Sequence, residues 1–200
     1  MASSRVVVGV DEAGAGPAFG SLWAAAVQLT APVEGLRDSK KLTERKRAAL
    51  REAVLATARV GMGEVTKDEI DGMGMAECRR LVFERALDDF VAANGGLVPD
   101  HVLVDGRLYR PWRGVPFECH DRAEDAFPEV AAASVLAKTT RDAQVLAWCE
   151  ADPSLHAKYA IRSNKGYLSP AHLAGLKEHG WSPLHRTSYR VRGVGEGASP

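Results

Sequence analysis

Two hundred residues fit one domain and can bury a substantial core, and 46% hydrophobic with 26% charged residues is ordinary for a globular chain. The 26 Lys and Arg against 26 Asp and Glu leave no net charge, so composition gives no footprint of a nucleic-acid partner. No apolar run approaches the roughly 18 residues of a membrane helix, Met1 to Arg5 lack the regions of a signal peptide, and Cys78, Cys119 and Cys149 have no C-x-x-C spacing, which argues against disulfides and zinc ribbons. A cytoplasmic enzyme with no membrane association is the expectation.

Along the chain, Val6-Val7-Val8-Gly9-Val10 is a β-branched run closed by acids and glycines, which predicts a buried strand. Asp11 to Gly20 is turn-rich, and Leu22 to Leu29 reads as a second strand, antiparallel to the first. The basic residues Arg37, Lys40, Lys41, Arg45, Lys46, Arg47 and Arg51 cluster; alone they read as a solvated helix face. From Thr43 to Arg59 the pattern is helical, with Thr43 as cap and Leu50, Val54, Leu55 and Ala58 at helical spacing. Val60 to Val65 reads as a strand. Asp68 to Ala93 is helical, divided near Gly72 and Gly74 and stopped by Asn94-Gly95-Gly96. His101 to Gly106 repeats the opening theme of apolar strand, acid and glycine. Val130 to Cys149 is a long helix with small residues at its start, Pro153 ends that region, and Pro170 to His179 is one more helix. Strands first, then helices alternating with strands, predict an α/β fold with a mixed central sheet flanked by helices. Residues 1–192 are expected to form the domain and 193–200 a disordered tail.

Two strands therefore end in acids followed by glycine, Val10-Asp11-Glu12-Ala13-Gly14 and Val104-Asp105-Gly106, and Glu124-Asp125 precede the long helix. Carboxylates held together repel unless a cation neutralises them, and Mg²⁺ or Mn²⁺ suits an all-oxygen set. Acids after strands are equally the stuff of caps and turns, so this pattern alone leaves both readings open.

Five segments in order carry a resemblance. Gly9 to Pro17 closely resembles the opening motif of ribonuclease HII, Asp38-Ser39-Lys40-Lys41-Leu42 its D-S-K-K-L segment, and Val104-Asp105-Gly106 its second acidic strand. Ala131 to Lys138 with Arg141-Asp142 is similar to its A-A-S-I-x-A-K-x-x-R-D helix. Lys165-Gly166-Tyr167 with His172, and Gly180 to Arg186, resemble its closing motifs, so the likeness spans residues 6 to 189.

The resemblance implies an RNase H-like fold and an endonuclease that cuts RNA in RNA–DNA hybrids or at ribonucleotides embedded in duplex DNA. It implies dependence on Mg²⁺ or Mn²⁺, two ions in the mechanism, and 3′-hydroxyl and 5′-phosphate products. Carried over by position, Asp11, Glu12 and Asp105 are metal-binding catalytic carboxylates. Counting back from Ala131 places Glu124 as the fourth acid, with Arg122 in the place of a lysine common in the family; Asp125 needs a one-residue shift and is the second choice.

Gly14-Ala15-Gly16 stands where the family has G-R-G, so backbone approach to a sugar is kept while a side-chain cation is lost. Recognition is expected to be weakened or altered. Tyr167 is expected to stack on a sugar, a half-buried core tyrosine being the alternative. Lys40, Ser134, Lys138, Lys165 and Arg186 are expected at phosphates, although Ser134 is as readily a small packing residue. His172, His179 and His185 read as packing or phosphate contacts rather than metal ligands. A monomer is expected. Two further readings are a hybrid nuclease closer to ribonuclease HIII and a nucleic-acid-binding homologue impaired in catalysis.

Overall fold

A computed structural model describes residues 5–36 and 43–195. Its centre is a five-stranded mixed sheet in the order β3-β2-β1-β4-β5, formed by β1 (Val7–Ala13), β2 (Leu22–Leu29), β3 (Ala58–Val65), β4 (His101–Asp105) and β5 (Phe117–His120). β1, β2 and β3 form an antiparallel meander, whereas β4 runs parallel to β1 and β5 parallel to β4. The helices are α1 (Glu44–Thr57), α2 (Lys67–Met73), α3 (Met75–Ala93), α4 (Pro128–Ala151), α5 (Ser154–Tyr159), α6 (Ile161–Asn164) and α7 (Pro170–His179).

Strand parity divides the core in two, because successive side chains of a strand point to opposite faces. Val8 and Val10 of β1 and Leu22, Ala24 and Ala26 of β2 pack with Val82, Phe83, Ala86 and Phe90 of α3. Ala25 and Val27 pack on the other face with Leu50 and Val54 of α1 and with Ala131 to Ala133 of α4. Gly9 shares that second face, and a Cβ there would lie 2.4 Å from the backbone of Glu129 and Val130. Glycine therefore lets the start of α4 rest directly on β1.

Thr43 caps α1 by accepting from the Lys46 amide, as expected. The helix ends at Thr57 and the chain enters β3 at once, two residues earlier than its pattern predicts. Gly74, at φ +80°, makes the break between α2 and α3, and Thr66 with Glu69 forms a capping box at the start of α2. β5 was not expected: it is four residues long and half of it is exposed, so it carries little apolar alternation. The short α5 and α6 were not expected either, each being too brief for a helical period to register. At the far end, Trp181 donates its indole N–H to the carbonyl of Gly195 at 2.8 Å, so residues 193–195 lie against the domain; 196–200 fall outside the described residues. Among the described residues no helix is long and apolar enough to cross a membrane.

Candidate active site

Val10 of β1 pairs with Val104 of β4 in parallel register, so Asp11 and Asp105 follow side by side at the carboxyl ends of central strands. By parity both point to the face that carries the start of α4. Glu12, one residue on, turns toward α3.

Asp11 is buried, with 6% of its surface exposed. Its Oδ1 accepts from the Glu12 amide at 2.7 Å, and Ser134 of α4 bonds to its side chain. Burial first, then the charges of Glu12 and Asp105, push its pKa up to about 8. The Glu12 pKa is also raised, chiefly by burial, against the lowering effect of Arg79. Arg79 Nη2 lies 2.6 Å from Glu12 Oε1, while Oε2 is buried with no hydrogen-bond partner. Asp105 Oδ1 accepts from the Ala123 amide at 2.8 Å, which ties the end of β4 to the 3₁₀ turn Ala123–Asp125. In that turn Glu124 is buried and Asp125 is exposed.

Charge repulsion at Asp11, a buried Glu12 oxygen without a donor and an all-oxygen donor set fit a hard divalent cation. Among the described residues, no three His, Cys, Asp or Glu side chains form a ready-made metal cage. The fit is to an open site. Mg²⁺ characteristically takes one or two carboxylates and completes its shell with water and substrate phosphate.

Beside the acids runs a cleft lined by Glu12 to Gly16, Arg47, Ser134, Lys138 and Tyr167. Gly14 has φ +108°, and a Cβ there would lie 2.6 Å from Arg141 Nε, so glycine is required for both conformation and space. Tyr167 is 46% exposed, with its ring beside Gly16, Lys138 and Arg141, which speaks against the alternative of a core tyrosine. Lys138 Nζ stands 5.6 Å from the Tyr167 ring centre and 2.8 Å from Asp142. Lys165 Nζ donates to the Arg162 carbonyl at 2.7 Å. Ser134 faces Asp11, a place nearer the acids than the expected phosphate contact. Lys40 lies outside the described residues.

Arg186 requires a correction. It is fully buried and donates to the carbonyls of Gly14, Pro17, Gly20 and Ser21 and to the Tyr189 hydroxyl. A guanidinium so occupied holds the glycine loop from behind and has no face for a phosphate. Tyr189 in turn donates to the Ala15 carbonyl, and the equally buried Arg141 donates to the Phe19 and Lys165 carbonyls. These supports, with Arg79, escaped the sequence reading. The segment carrying Arg141 was visible as a motif, but nothing local marks an arginine as internal. His172 and His185 are buried and joined through their Nε2 atoms at 2.9 Å, the packing role expected of them.

Acids at the carboxyl ends of neighbouring strands, above a mixed sheet and beside a glycine-built cleft, define a nuclease of the RNase H-like class. Solved structures agree on the fold: ribonuclease H2 from Pyrococcus horikoshii OT3 aligns with a TM-score of 0.68 and 25% identity, over 92% of this chain and 93% of that one. Bst-RNase HIII in complex with Mn²⁺ aligns at 0.69 and 21% identity, over 87% of this chain and 70% of that one. The ribonuclease HII family model matches residues 8–192, and ribonuclease HII of Polynucleobacter asymbioticus is 39% identical over 196 residues, 96% of this chain and 97% of its own. The chain belongs to the ribonuclease HII family. It is an endoribonuclease acting on RNA–DNA hybrids.

Proposed function

We propose that the chain hydrolyses RNA strands of hybrids, and duplex DNA at embedded ribonucleotides, with Asp11, Glu12, Asp105 and Glu124 as the metal-binding carboxylates. The observation that carries this is the parallel placement of Asp11 beside Asp105, with Glu12 close enough for its charge to act on Asp11 and with its Oε2 buried and partnerless. Mg²⁺ or Mn²⁺ bound there, as a pair, would supply an activated water and charge stabilisation on both sides of the scissile phosphate. That a neighbour of the same fold is known in complex with Mn²⁺ supports this choice of ions.

The chain's own residues prepare the site. The Glu12 amide and Ser134 fix the Asp11 carboxylate, and the Ala123 amide fixes Asp105. Burial favours Glu124 over Asp125 as fourth acid, since a ligand must face inward. Arg186 and Tyr189 take the carbonyls of Gly14, Ala15 and Pro17, so the loop's amide hydrogens are its candidate donors to a 2′-hydroxyl. Exposed Tyr167 then stacks on the sugar, while Lys138 and Lys165 meet phosphates. Lys40 keeps its expected phosphate role. The products carry 5′-phosphate and 3′-hydroxyl ends, and the enzyme acts as a cytoplasmic monomer.

The test compares a long hybrid with a duplex holding one ribonucleotide, each with Mg²⁺ or Mn²⁺. Both substrates should be cut, and Glu124→Gln should lose about 100-fold or more in rate while Asp125→Asn stays near wild type. Cutting of the long hybrid only would favour the ribonuclease HIII-like reading. No cutting under any condition would favour a binding protein, and the reverse ranking of the two variants would move the fourth acid to Asp125.

A further inference from the structure

Arg79 touches the acidic cluster without being one of its proposed metal ligands. It rises from α3, on the face of the sheet opposite α4, and meets Glu12 by a single contact between Nη2 and Oε1 at 2.6 Å. Arginine–carboxylate pairs are strongest when bidentate, with both oxygens and two N–H groups engaged. Here each partner keeps an unused capacity. Glu12 Oε2 is buried with no donor, and Arg79 Nε is buried with no acceptor. The guanidinium also reaches the end of β4: a Cβ on Gly106 would stand 3.4 Å from its Nη2, in ordinary van der Waals contact, so Arg79 lies beside the residue that follows Asp105. About a quarter of the Arg79 side chain is open to solvent, against 8% for Glu12.

The charge balance gives this placement a purpose. Glu12 is crowded by Asp105, and Arg79 is the cation that offsets that repulsion in the protein alone. A divalent ion arriving at the acids must compete with that guanidinium for Glu12. Once displaced, a partly exposed guanidinium at the rim would have the substrate's phosphates as its natural anion. The glycine loop offers no cation of its own, because residue 15 is alanine.

We infer that Arg79 is a positioning residue with two posts: it stands in for the cation at Glu12 before the metal binds, and it passes to the substrate backbone afterwards. This rests on Glu12 and Asp11 being metal ligands. Such an exchange links metal binding to duplex binding through one side chain. Removing Arg79 should therefore move the two affinities in opposite directions, which the loss of a purely structural ion pair does not do.

Mn²⁺ binding by titration calorimetry, and binding of an RNA–DNA hybrid made uncleavable by 2′-O-methylation, test this on wild type, Arg79→Gln, Arg79→Lys and Asp11→Asn. Arg79→Gln should bind Mn²⁺ about three- to tenfold more tightly, since a competing charge is gone. With Mn²⁺ present it should bind the hybrid about fivefold more weakly, with a salt slope lower by about one; with EDTA it should match wild type. Arg79→Lys should fall between. Unchanged or weaker Mn²⁺ binding in a folded Arg79→Gln protein overturns the inference, as does equal hybrid affinity with Mn²⁺. If Arg79→Gln does not fold, Arg79→Lys decides: Mn²⁺ affinity above wild type supports the exchange, and affinity at or below it overturns it. Should wild type and Asp11→Asn bind Mn²⁺ alike, the carboxylate assignment itself fails. Should Asp11→Asn lose Mn²⁺ while Arg79→Gln binds as wild type, only the role of Arg79 falls.

Discussion

At Arg186, the guanidinium donors end on the carbonyls of Gly14, Pro17, Gly20 and Ser21 and on the Tyr189 hydroxyl. Replacing Arg186 with Met should destabilise the fold by about 3 kcal/mol or more, because several buried carbonyls lose their donor. Lysine should not rescue it, as one ammonium cannot span that fork. Denaturant unfolding checks both variants, and a loss below about 1 kcal/mol would remove the loop-holding role. His185 gives a pH signature. Burial, and then His172, lower its pKa from an ordinary value of 6.5 to about 3. The unfolded chain takes up that proton first as pH falls, so the stability is complete above about 6.5 and is lost progressively toward about 3. Unfolding midpoints between pH 7 and 4 should fall more steeply in wild type than in His185→Phe; equal slopes would contradict it. The acids were legible because each closes an apolar run, a signal that lies within a few residues. Arg79, Arg141 and Arg186 were not legible in their roles, since their partners lie tens of residues away and an arginine looks the same in sequence whether it faces a phosphate or a carbonyl.

Among the elements, the contact of α4 with β1 does most to place the site. It sets Ser134 against Asp11, and it depends on the missing side chain at Gly9. Gly9→Ala would put a methyl group 2.4 Å from the α4 backbone, so the helix start must move. The expected cost is about 1–3 kcal/mol, with a loss of cleavage rate that exceeds what the unfolded fraction explains. A variant with wild-type rate per folded molecule would show that α4 does not position Asp11. Most elements were legible where length allowed a period to appear: α3, α4, β2 and α7 fall close to their expected places, whereas β1 runs on through Asp11, Glu12 and Ala13, which their glycine neighbours marked as turn. β5, α5 and α6 did not register. The first is a short, half-exposed strand stabilised by pairing with β4, and the others complete turns after Pro153 whose apolar residues join a core built by distant parts of the chain.

For the molecule as a whole, the mixed sheet explains why two acids nearly a hundred residues apart meet: only the parallel pairing of β1 and β4 sets Asp11 beside Asp105. The order of acidic strands was visible in the sequence, but the pairing that unites them is a property of the sheet. Neutral net charge likewise hides a cleft with Arg47 and Lys138 on its wall. Hybrid binding should accordingly weaken steeply between about 50 and 200 mM salt despite that neutrality, and a flat profile would exclude a phosphate-binding groove. The most direct measurement is the Mg²⁺-dependent cleavage of an RNA–DNA hybrid by wild type and by Asp11→Asn, both shown to be folded and to bind the duplex. Wild type should cleave in a way that EDTA stops, and Asp11→Asn should lose at least about 1000-fold with the duplex still bound. Cleavage by Asp11→Asn within about tenfold of wild type would contradict it.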